Sequence, residues 1–289
     1  MVSKHQKRAT KKLRNVQKQR GKFPLLLEKV INDSDIVLEI LDARFPKDMQ
    51  NKEIEKLVNQ KGKQLIYVLN KSDLTMKRDK SLSPKVFVSC KSRTGISELR
   101  DKIKQEAKKI EKEGRVYVGV VGYPNTGKSS VINFISRRGA AKTSKQAGFT
   151  KGMQKIRMSE DILILDTPGV IPNSEYSSES KSFAKDVKVG ARTYSDVKNP
   201  EDVVYYLISA STPKDENNLT DEEQAAIEEA ERNSEAIEKF YEVKADGSVE
   251  VLIEELGKKK GFLGKGGKID VDRTARLILR DWQSGAIRV

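Results

Sequence analysis

Residues 122–129 read GYPNTGKS and match the pattern G-x-x-x-x-G-K-[ST] directly after the apolar run RVYVGVV at 115–121. A buried strand that leads through such a turn into a helix can bind phosphate, because the N–H groups of the turn and the helix N-terminus point at the anion. In this pattern Lys128 reaches the β- and γ-phosphates, and the Ser129 hydroxyl binds Mg²⁺. The alternative is an ordinary glycine-rich turn. The feature predicts an α/β fold built around this loop.

Short apolar runs alternate with helical patterns along the first part of the chain. The predicted strands are 35–41, 64–69, 85–89 and 115–121, followed by a hairpin of 154–158 and 161–165. A polar helix is expected at 51–60, and a second helix runs from Ile96 to about Glu111, where apolar residues recur every three or four positions. Buried strands that alternate with helices predict a mostly parallel sheet with helices on both faces.

The pattern changes after about residue 175, where strand-like runs mostly disappear. Helical patterns occupy 201–209, 220–240, 248–256 and 271–282. We therefore predict three regions. They are a basic arm at 1–22, a nucleotide-binding domain at 23–175 and a C-terminal α-helical domain at 176–289.

Charge is segregated along the chain, which carries a formal net charge of +14. The arm holds nine Lys and Arg and no acidic residue, 257–267 is also basic, and 215–242 is acidic. Such segregation indicates a polyanion partner, most often RNA or DNA. The alternative is a charge-rich surface of the thermophile kind with a disordered arm. We expect the helical domain to be the RNA-binding domain.

Several classes of protein are disfavoured by composition. The chain has one cysteine, Cys90, and one histidine, His5, too few for a disulfide or a structural zinc site, and this usage fits a reducing compartment. No apolar run approaches the roughly 18–20 residues that span a bilayer, and no secretory signal follows the first lysines. We expect a cytoplasmic monomer that does not bind membranes. A membrane-associated protein that uses its basic ends on anionic lipid is the last-ranked alternative.

A second motif, DTPG at Asp166–Gly169, also ends a predicted strand. The Asp166 carboxylate could hold the water shell of Mg²⁺, and the Gly169 N–H could meet a γ-phosphate. The alternative is a routine turn. A switch threonine would lie between the two motifs. Thr150 is the first choice and Thr143 the second.

The tetrapeptide NKSD, Asn70–Asp73, follows the strand at 64–69. The Asp73 carboxylate could accept hydrogen bonds from N1–H and the 2-amino group of guanine, which adenine lacks, so it would reject ATP. Lys71 can lay its stem over the base, and Asn70 can tie this turn to the phosphate loop. After the next strand, a backbone N–H of Ser89–Lys91 (SCK) could donate a hydrogen bond to guanine O6.

The order of these motifs is base, base, phosphate, switch and magnesium. In this order the chain resembles the circularly permuted GTPases of the YlqF/YawG type, which act in assembly of the large ribosomal subunit. LDARFP at 41–46 is similar to that family's Asp-Ala-Arg segment, and DRTARLILRDWQSGAI is more loosely similar to its helical tail. The resemblance implies that 23–175 is a circularly permuted P-loop GTPase (G) domain, that GTP is hydrolysed with Mg²⁺, and that ribosomal RNA or the large subunit is the partner.

The resemblance also implies a site. The nucleotide-binding set is Asn70, Lys71, Asp73, Ser89, Cys90, Lys91, Gly122, Tyr123, Pro124, Asn125, Thr126, Gly127, Lys128, Ser129, Ser130, Asp166 and Gly169. Lys128, Thr150 and Gly169 are the expected catalytic residues, and Ser129, Thr150 and Asp166 the expected Mg²⁺ ligands. In related GTPases an Asn at the position of Asn125 is associated with K⁺ binding, and the Asn125 amide oxygen could help to hold K⁺. The alternative is that Asn125 only stabilises the loop.

The residue after Gly169 is Val170, whereas Ras-type GTPases have a water-orienting Gln there. We therefore expect slow intrinsic hydrolysis. The alternative function is a GTP-sensing RNA-binding module with little or no hydrolysis, and a further rival is an ATPase or P-loop kinase. His5 is not assigned the role that a histidine near the N-terminus has been considered for in bacterial relatives. RNA contacts are expected from Lys4–Lys22, from 258–268 and from Arg273, Arg276 and Arg280, unless these arginines pair with Asp272 and Asp281.

Overall fold

The computed structural model describes residues 23–76, 81–136, 154–166, 180–210 and 219–289. Contacts between residues divide the chain into two compact units, and each unit takes short segments from different parts of the sequence. The first unit comprises Met1–Asp42, Met49–Lys71 and Asp79–Pro172, and the second comprises Ala43–Asp48, Ser72–Arg78 and Asn173–Val289.

The first unit is built on a six-stranded sheet in the order β3-β2-β1-β4-β6-β5. The strands are β1 (Ile36–Asp42), β2 (Gln64–Asn70), β3 (Lys85–Phe87), β4 (Val116–Val121), β5 (Gln154–Arg157) and β6 (Ile162–Asp166). Only β5 is antiparallel to its neighbour, and the hairpin of β5 and β6 is the one predicted. The remaining pairs of this sheet are parallel, which confirms the predicted fold class.

Helices cover both faces of this sheet. They are α1 (Phe23–Asp33), α3 (Lys52–Gln60), α4 (Ile96–Lys108) and α5 (Lys128–Ile135). Successive side chains of β1 alternate between the faces. Ile36, Leu38 and Ile40 pack in one cluster with residues of α4 and α5, while Val37 packs in the other with residues of α1 and α3. This two-sided burial explains why β1 is apolar almost throughout.

The second unit is mainly helical. Its helices are α6 (Ser180–Lys188), α7 (Pro200–Ile208), α8 (Asp221–Tyr241), α9 (Val249–Lys260) and α10 (Val271–Ser284). Thr220 and Glu223 form a capping box at the start of α8, because each side chain bonds the backbone N–H of the other. None of the helices in the described ranges is long and apolar enough to cross a bilayer.

The segment Ala43–Asp48, which follows β1 in sequence, is part of the helical unit. Together with Met49 it includes the short helix α2 (Pro46–Met49). The Phe45 ring stacks on Trp282 of α10 with 5.8 Å between centroids. The Arg44 Nη1 donates to the Trp282 carbonyl at 3.0 Å, and the Asp48 carboxylate accepts from Lys188 Nζ at 2.8 Å. The side chains of 43–48 thus contribute to the core of the helices.

Candidate functional site

Several residues predicted to bind nucleotide lie at the carboxyl ends of the parallel strands, together with Asp42, for which no role was predicted. Asp42 ends β1, Asn70 ends β2, Asp166 ends β6, and the phosphate loop begins at Gly122, directly after β4. Asp42 and Asn70 are register partners on adjacent strands. Ligands of open α/β sheets bind at this edge, because the loops that leave the strands converge there.

The phosphate loop has the backbone conformation that its sequence predicts. Gly122 has φ of 140°, and a Cβ there would lie 2.4 Å from the Ile40 carbonyl oxygen. Gly127 has φ of 93°, and its Cβ would lie 2.3 Å from Asn70 Nδ2. Asn125 adopts φ of 61°, in the left-handed region that few non-glycine residues use. Gly122 is therefore required by the close approach of the Ile40 backbone, and Gly127 by that of the Asn70 side chain.

Lys128 begins α5 and is almost fully buried. Its ammonium donates to the carbonyls of Gly122 at 3.0 Å and Tyr123 at 2.6 Å. Burial lowers the pKa of Lys128 to about 8, and the negative charge of Asp166 partly offsets that effect. The ammonium therefore lies inside the curve of the loop, where it could also pair with a bound phosphate.

Asn70 joins the NKSD turn to the phosphate loop. Its Nδ2 donates to the Thr126 carbonyl at 2.7 Å, across 56 residues of sequence. Its Oδ1 is buried and has no hydrogen-bond partner among the residues that the structure describes. Thr126 is itself fixed, because its hydroxyl donates to the Tyr123 carbonyl at 2.9 Å. This arrangement brings together two motifs that are far apart in the sequence.

The rest of the NKSD motif is held in an unusual backbone conformation. Lys71 has φ of 59°, and its ammonium pairs with Asp42 Oδ2 at 2.9 Å. Asp73 follows in the 3₁₀ turn Ser72–Leu74 with a half-buried side chain. A left-handed lysine is typical of a site where function fixes the backbone.

The SCK turn is braced by its own backbone. Ser89 is fully buried, and its N–H and carbonyl both bond Thr94. Ser89 Oγ also accepts from the Ser92 N–H at 3.0 Å. Cys90 is half-buried and Lys91 exposed. The turn is ordered by Ser89, and the side chains of Cys90 and Lys91 are less enclosed.

The magnesium side of the predicted site is described only in part. Asp166 is 1% exposed, and it faces Val120 of β4 in the sheet register. Ser129 and Ser130 lie in the first turn of α5 and are half-buried, and Pro124 is buried in the loop. Thr143, Thr150, Gly169 and Val170 lie outside the described residues, as does His5.

Two acidic residues of this region received no role from sequence. One is Asp42, whose pairing with Lys71 no spacing rule indicates, although LDARFP was noted as a motif. The other is Glu39, which is fully buried in the middle of β1 and accepts from the Asn51 N–H at 2.9 Å. The sequence did carry a signal for Glu39, because a carboxylate in the middle of a mostly apolar strand is unusual.

Known proteins share both the sequence and the fold. The family described as 50S ribosome-binding GTPase matches residues 117–241. An uncharacterized GTP-binding protein of Methanocaldococcus jannaschii is 36% identical over 91% of this chain and 65% of its own length. Nucleolar GTP-binding protein 2 of Pneumocystis carinii is 29% identical over 90% of this chain and 52% of its own length. This chain thus spans between half and two thirds of each relative.

The solved structure of GNP-bound YlqF from T. maritima covers 95% of this chain and 95% of its own, with a TM-score of 0.52 and 21% identity. The two chains share their overall fold. In sequence and in fold, this chain is therefore similar to GTP-binding proteins of the YlqF type. In its sheet β1 lies between β2 and β4, and because these strands are parallel, the motifs that follow them lie on one edge.

Proposed function

We propose that this chain binds GTP and hydrolyses it to GDP and phosphate, as a nucleotide switch on RNA during assembly of the large ribosomal subunit. The observation that carries the proposal is the Asn70–Thr126 hydrogen bond, which joins the guanine-type motif to the phosphate loop. A family named for binding the 50S ribosome, and a relative named as nucleolar, support the ribosomal partner.

The phosphate chemistry would rest on the loop and the first turn of α5. The loop N–H groups and the Lys128 ammonium would bind the β- and γ-phosphates and orient them. Asn125, with its left-handed backbone, is the residue proposed to help hold K⁺. Thr150 and Gly169 remain predicted catalytic residues that would contact the γ-phosphate. Hydrolysis would be slow, since Val170 cannot orient a water molecule.

The donor set at this edge fits Mg²⁺, which prefers hard oxygen ligands. The Ser129 hydroxyl and the Asp166 carboxylate would hold it, with Thr150 as a third, predicted ligand. When bound, the ion would neutralise charge on the phosphates. Within the described ranges no three His, Cys, Asp or Glu side chains meet as a metal site, and phosphate oxygens and water would complete the coordination.

Choice of guanine would depend on Asp73. Asp73→Asn should move the preference from guanosine toward xanthosine nucleotides, because the amide donates where the carboxylate accepts. Competition between GDP, XDP and ADP for the purified variant measures this. Selectivity identical to that of the unaltered chain would favour an ATPase or kinase instead.

Part of the RNA contact is proposed to lie in the helical unit. Phe240, Tyr241, Lys259, Lys260 and Arg280 line a cleft where α8, α9 and α10 meet. Phe240 is 43% exposed, and a splayed base can stack on an exposed ring while Lys260 binds the backbone. Glu242 and Asp281 line the same cleft, and Glu242 already pairs with Lys259. This pairing of aromatic and basic residues was not recognised in the sequence.

The predicted arginines of α10 differ in their surroundings. Arg276 donates to the carbonyls of Tyr194 and Val197 and forms two bonds with Asp272. Its guanidinium is therefore bonded within the helical unit. Arg280 pairs with Asp281, and Arg273 lies over the Phe262 ring at 4.0 Å. We therefore retain Arg273 as a proposed RNA contact and withdraw Arg276 and Arg280, which pair with Asp272 and Asp281.

The decisive experiment is sedimentation of the chain with large ribosomal subunits in GDP and in a non-hydrolysable GTP analogue. We expect a difference in affinity between the two states, because the γ-phosphate would order the switch residues. Equal affinities would end the switch proposal. Single-turnover phosphate release with K⁺ and added subunits distinguishes hydrolysis from the alternative, a GTP-sensing module that does not hydrolyse.

A further inference from the structure

The side chain of Lys71 is fixed at both ends. Its backbone has φ of 59°, and its ammonium lies 2.9 Å from Asp42 Oδ2. The Asp42 side chain is fully buried, whereas that of Lys71 is 26% exposed. An ion pair with one buried partner is screened less by water than a surface pair. The stem of Lys71 therefore spans a defined path between two anchors.

Asp42 is itself held in place. It is the last residue of β1 and the register partner of Asn70, and its N–H donates to Met49 Sδ at 3.4 Å. A carboxylate on the end of a central strand cannot follow a moving lysine. Asp42 therefore positions Lys71, and Lys71 does not position Asp42.

We propose that Asp42 is a positioning residue for the nucleotide: it holds Lys71 so that the methylene stem lies ready against the face of the purine. The inference rests on the proposed function, because it places the purine beside the NKSD motif. Without Asp42, a lysine stem has many rotamers, and ordering it would cost binding free energy. Packing against a ring face does not depend on the groups at the ring edge.

The different roles proposed for Asp42 and Asp73 predict different effects on affinity and on selectivity. Asp42 should strengthen binding of every purine that fits, whereas Asp73 should choose between them. Asp42→Asn keeps the shape of the side chain and removes the charge that attracts Lys71. We expect it to weaken GDP and IDP by the same factor, about tenfold, the usual effect of losing a charge-assisted bond. The ratio of GDP to IDP affinity should not change.

A matched control lies at the other end of β1. Asp35, which directly precedes the strand, pairs with Lys112 at 2.9 Å and also accepts from the Tyr117 N–H. Asp35→Asn removes a carboxylate of the same sheet at the edge away from the site. Its affinity for GDP should stay within about twofold of the unaltered chain, even where its thermal stability falls as much as that of Asp42→Asn.

The test is titration of GDP and IDP, with ADP as a reference, into the full chain and its variants, with thermal unfolding of each recorded. Lys71→Met keeps an apolar stem and removes the ammonium. Combined with Asp42→Asn it should bind no worse than Lys71→Met alone, because the two changes break one interaction. The single variant Lys71→Met also tests the pair if Asp42→Asn does not fold.

Four results would overturn the inference. They are full GDP affinity in Asp42→Asn, a changed GDP to IDP ratio in that variant, an equal loss of affinity in Asp35→Asn, and additive losses in the double variant. An unaltered chain that binds ADP as well as GDP would instead refute the proposed function, and the role of Asp42 would fall with it.

Discussion

The Lys128 ammonium is buried against the carbonyls of its own loop, and burial lowers its pKa to about 8. A bound polyphosphate would raise that pKa again, because it adds negative charge beside the ammonium. Binding above pH 8 must therefore take up a proton. We expect GDP affinity to be constant below about pH 7.5 and to fall about tenfold between pH 7 and pH 9.

Lys128→Arg supplies the control, since a guanidinium stays charged over this range. Its GDP affinity should change little with pH, and any remaining slope reports other groups, including the base. Calorimetric titration at several pH values measures both proteins. Equal slopes for the two proteins would contradict the assignment to Lys128.

Glu39 is a second buried ionisable group, on β1. Burial raises the pKa of Glu39 to about 8 from 4.5, although the Asn51 N–H that it accepts acts in the opposite direction. Between pH 4.5 and 8 the folded state holds a proton that the unfolded chain has lost. The free energy of unfolding should therefore fall as pH rises through this window, by at most about 1.4 kcal/mol per unit.

Glu39→Gln should remove this slope, since glutamine does not titrate. Urea unfolding of both proteins between pH 5 and pH 8 measures the difference. Glu160→Gln, at a side chain that is 89% exposed, should leave the slope unaltered. Parallel curves for the Glu39→Gln variant and the unaltered chain would show that Glu39 does not titrate in this range.

The turn between β3 and α4 depends on one glycine. Gly95 has φ of 73°, and a Cβ there would lie 1.8 Å from the Phe87 carbonyl oxygen. Gly95→Ala should lower the free energy of unfolding by about 3 kcal/mol or more, because the backbone itself must move. Gly62 has φ of 62° with no atom within 4 Å of a Cβ, so Gly62→Ala should cost only about 1–2 kcal/mol. Urea unfolding compares the two, and equal losses would contradict the steric argument.

Elements whose signal is local were predictable. The strands of the first unit and the helices α8, α9 and α10 agree with their patterns to within a few residues, because burial and capping leave a period in the sequence. Helix α6 was not predicted. Its burial depends on contacts from elsewhere in the unit, such as the bond from Trp282 Nε1 to the Lys188 carbonyl.

At the site, sequence predicted the motifs and one connection between them, the bond from Asn70 to the phosphate loop. Gly122, Asn70 and Lys128 were identified because a fixed spacing carries their chemistry. The Asp42–Lys71 pair was not, since it depends on the register of two strands rather than on spacing. The predicted roles of Thr150 and Gly169 stay predictions.

The helical unit contains the single tryptophan of the chain, Trp282, stacked on Phe45. The fluorescence emission of Trp282 should therefore report whether segment 43–48 is packed on α10. Phe45→Ala should shift the emission to longer wavelength and destabilise this unit by about 3 kcal/mol, because it leaves a cavity against the indole. Urea unfolding followed by Trp282 fluorescence tests this.

Tyr205→Ala is the control, since Tyr205 lies in the same unit and is 58% exposed. It should change neither the emission nor the midpoint by a measurable amount. An unchanged spectrum for Phe45→Ala would show that the stacked pair does not form in solution. Adding GDP and a GTP analogue to the unaltered chain then asks whether the nucleotide alters the seating of this segment.

The membership of 43–48 in the helical unit also determines when that unit can be completed during synthesis. Arg44 and its carbonyl partner at Trp282 are 238 residues apart in the chain. At the usual rate of about 5–20 residues per second, Trp282 is made some 10–50 seconds after Arg44. The aromatic ring of Phe45 therefore leaves the exit tunnel long before the ring that will cover it exists. The helical unit therefore cannot be completed before Trp282 has been made, and until then Phe45 is a surface that a chaperone can bind.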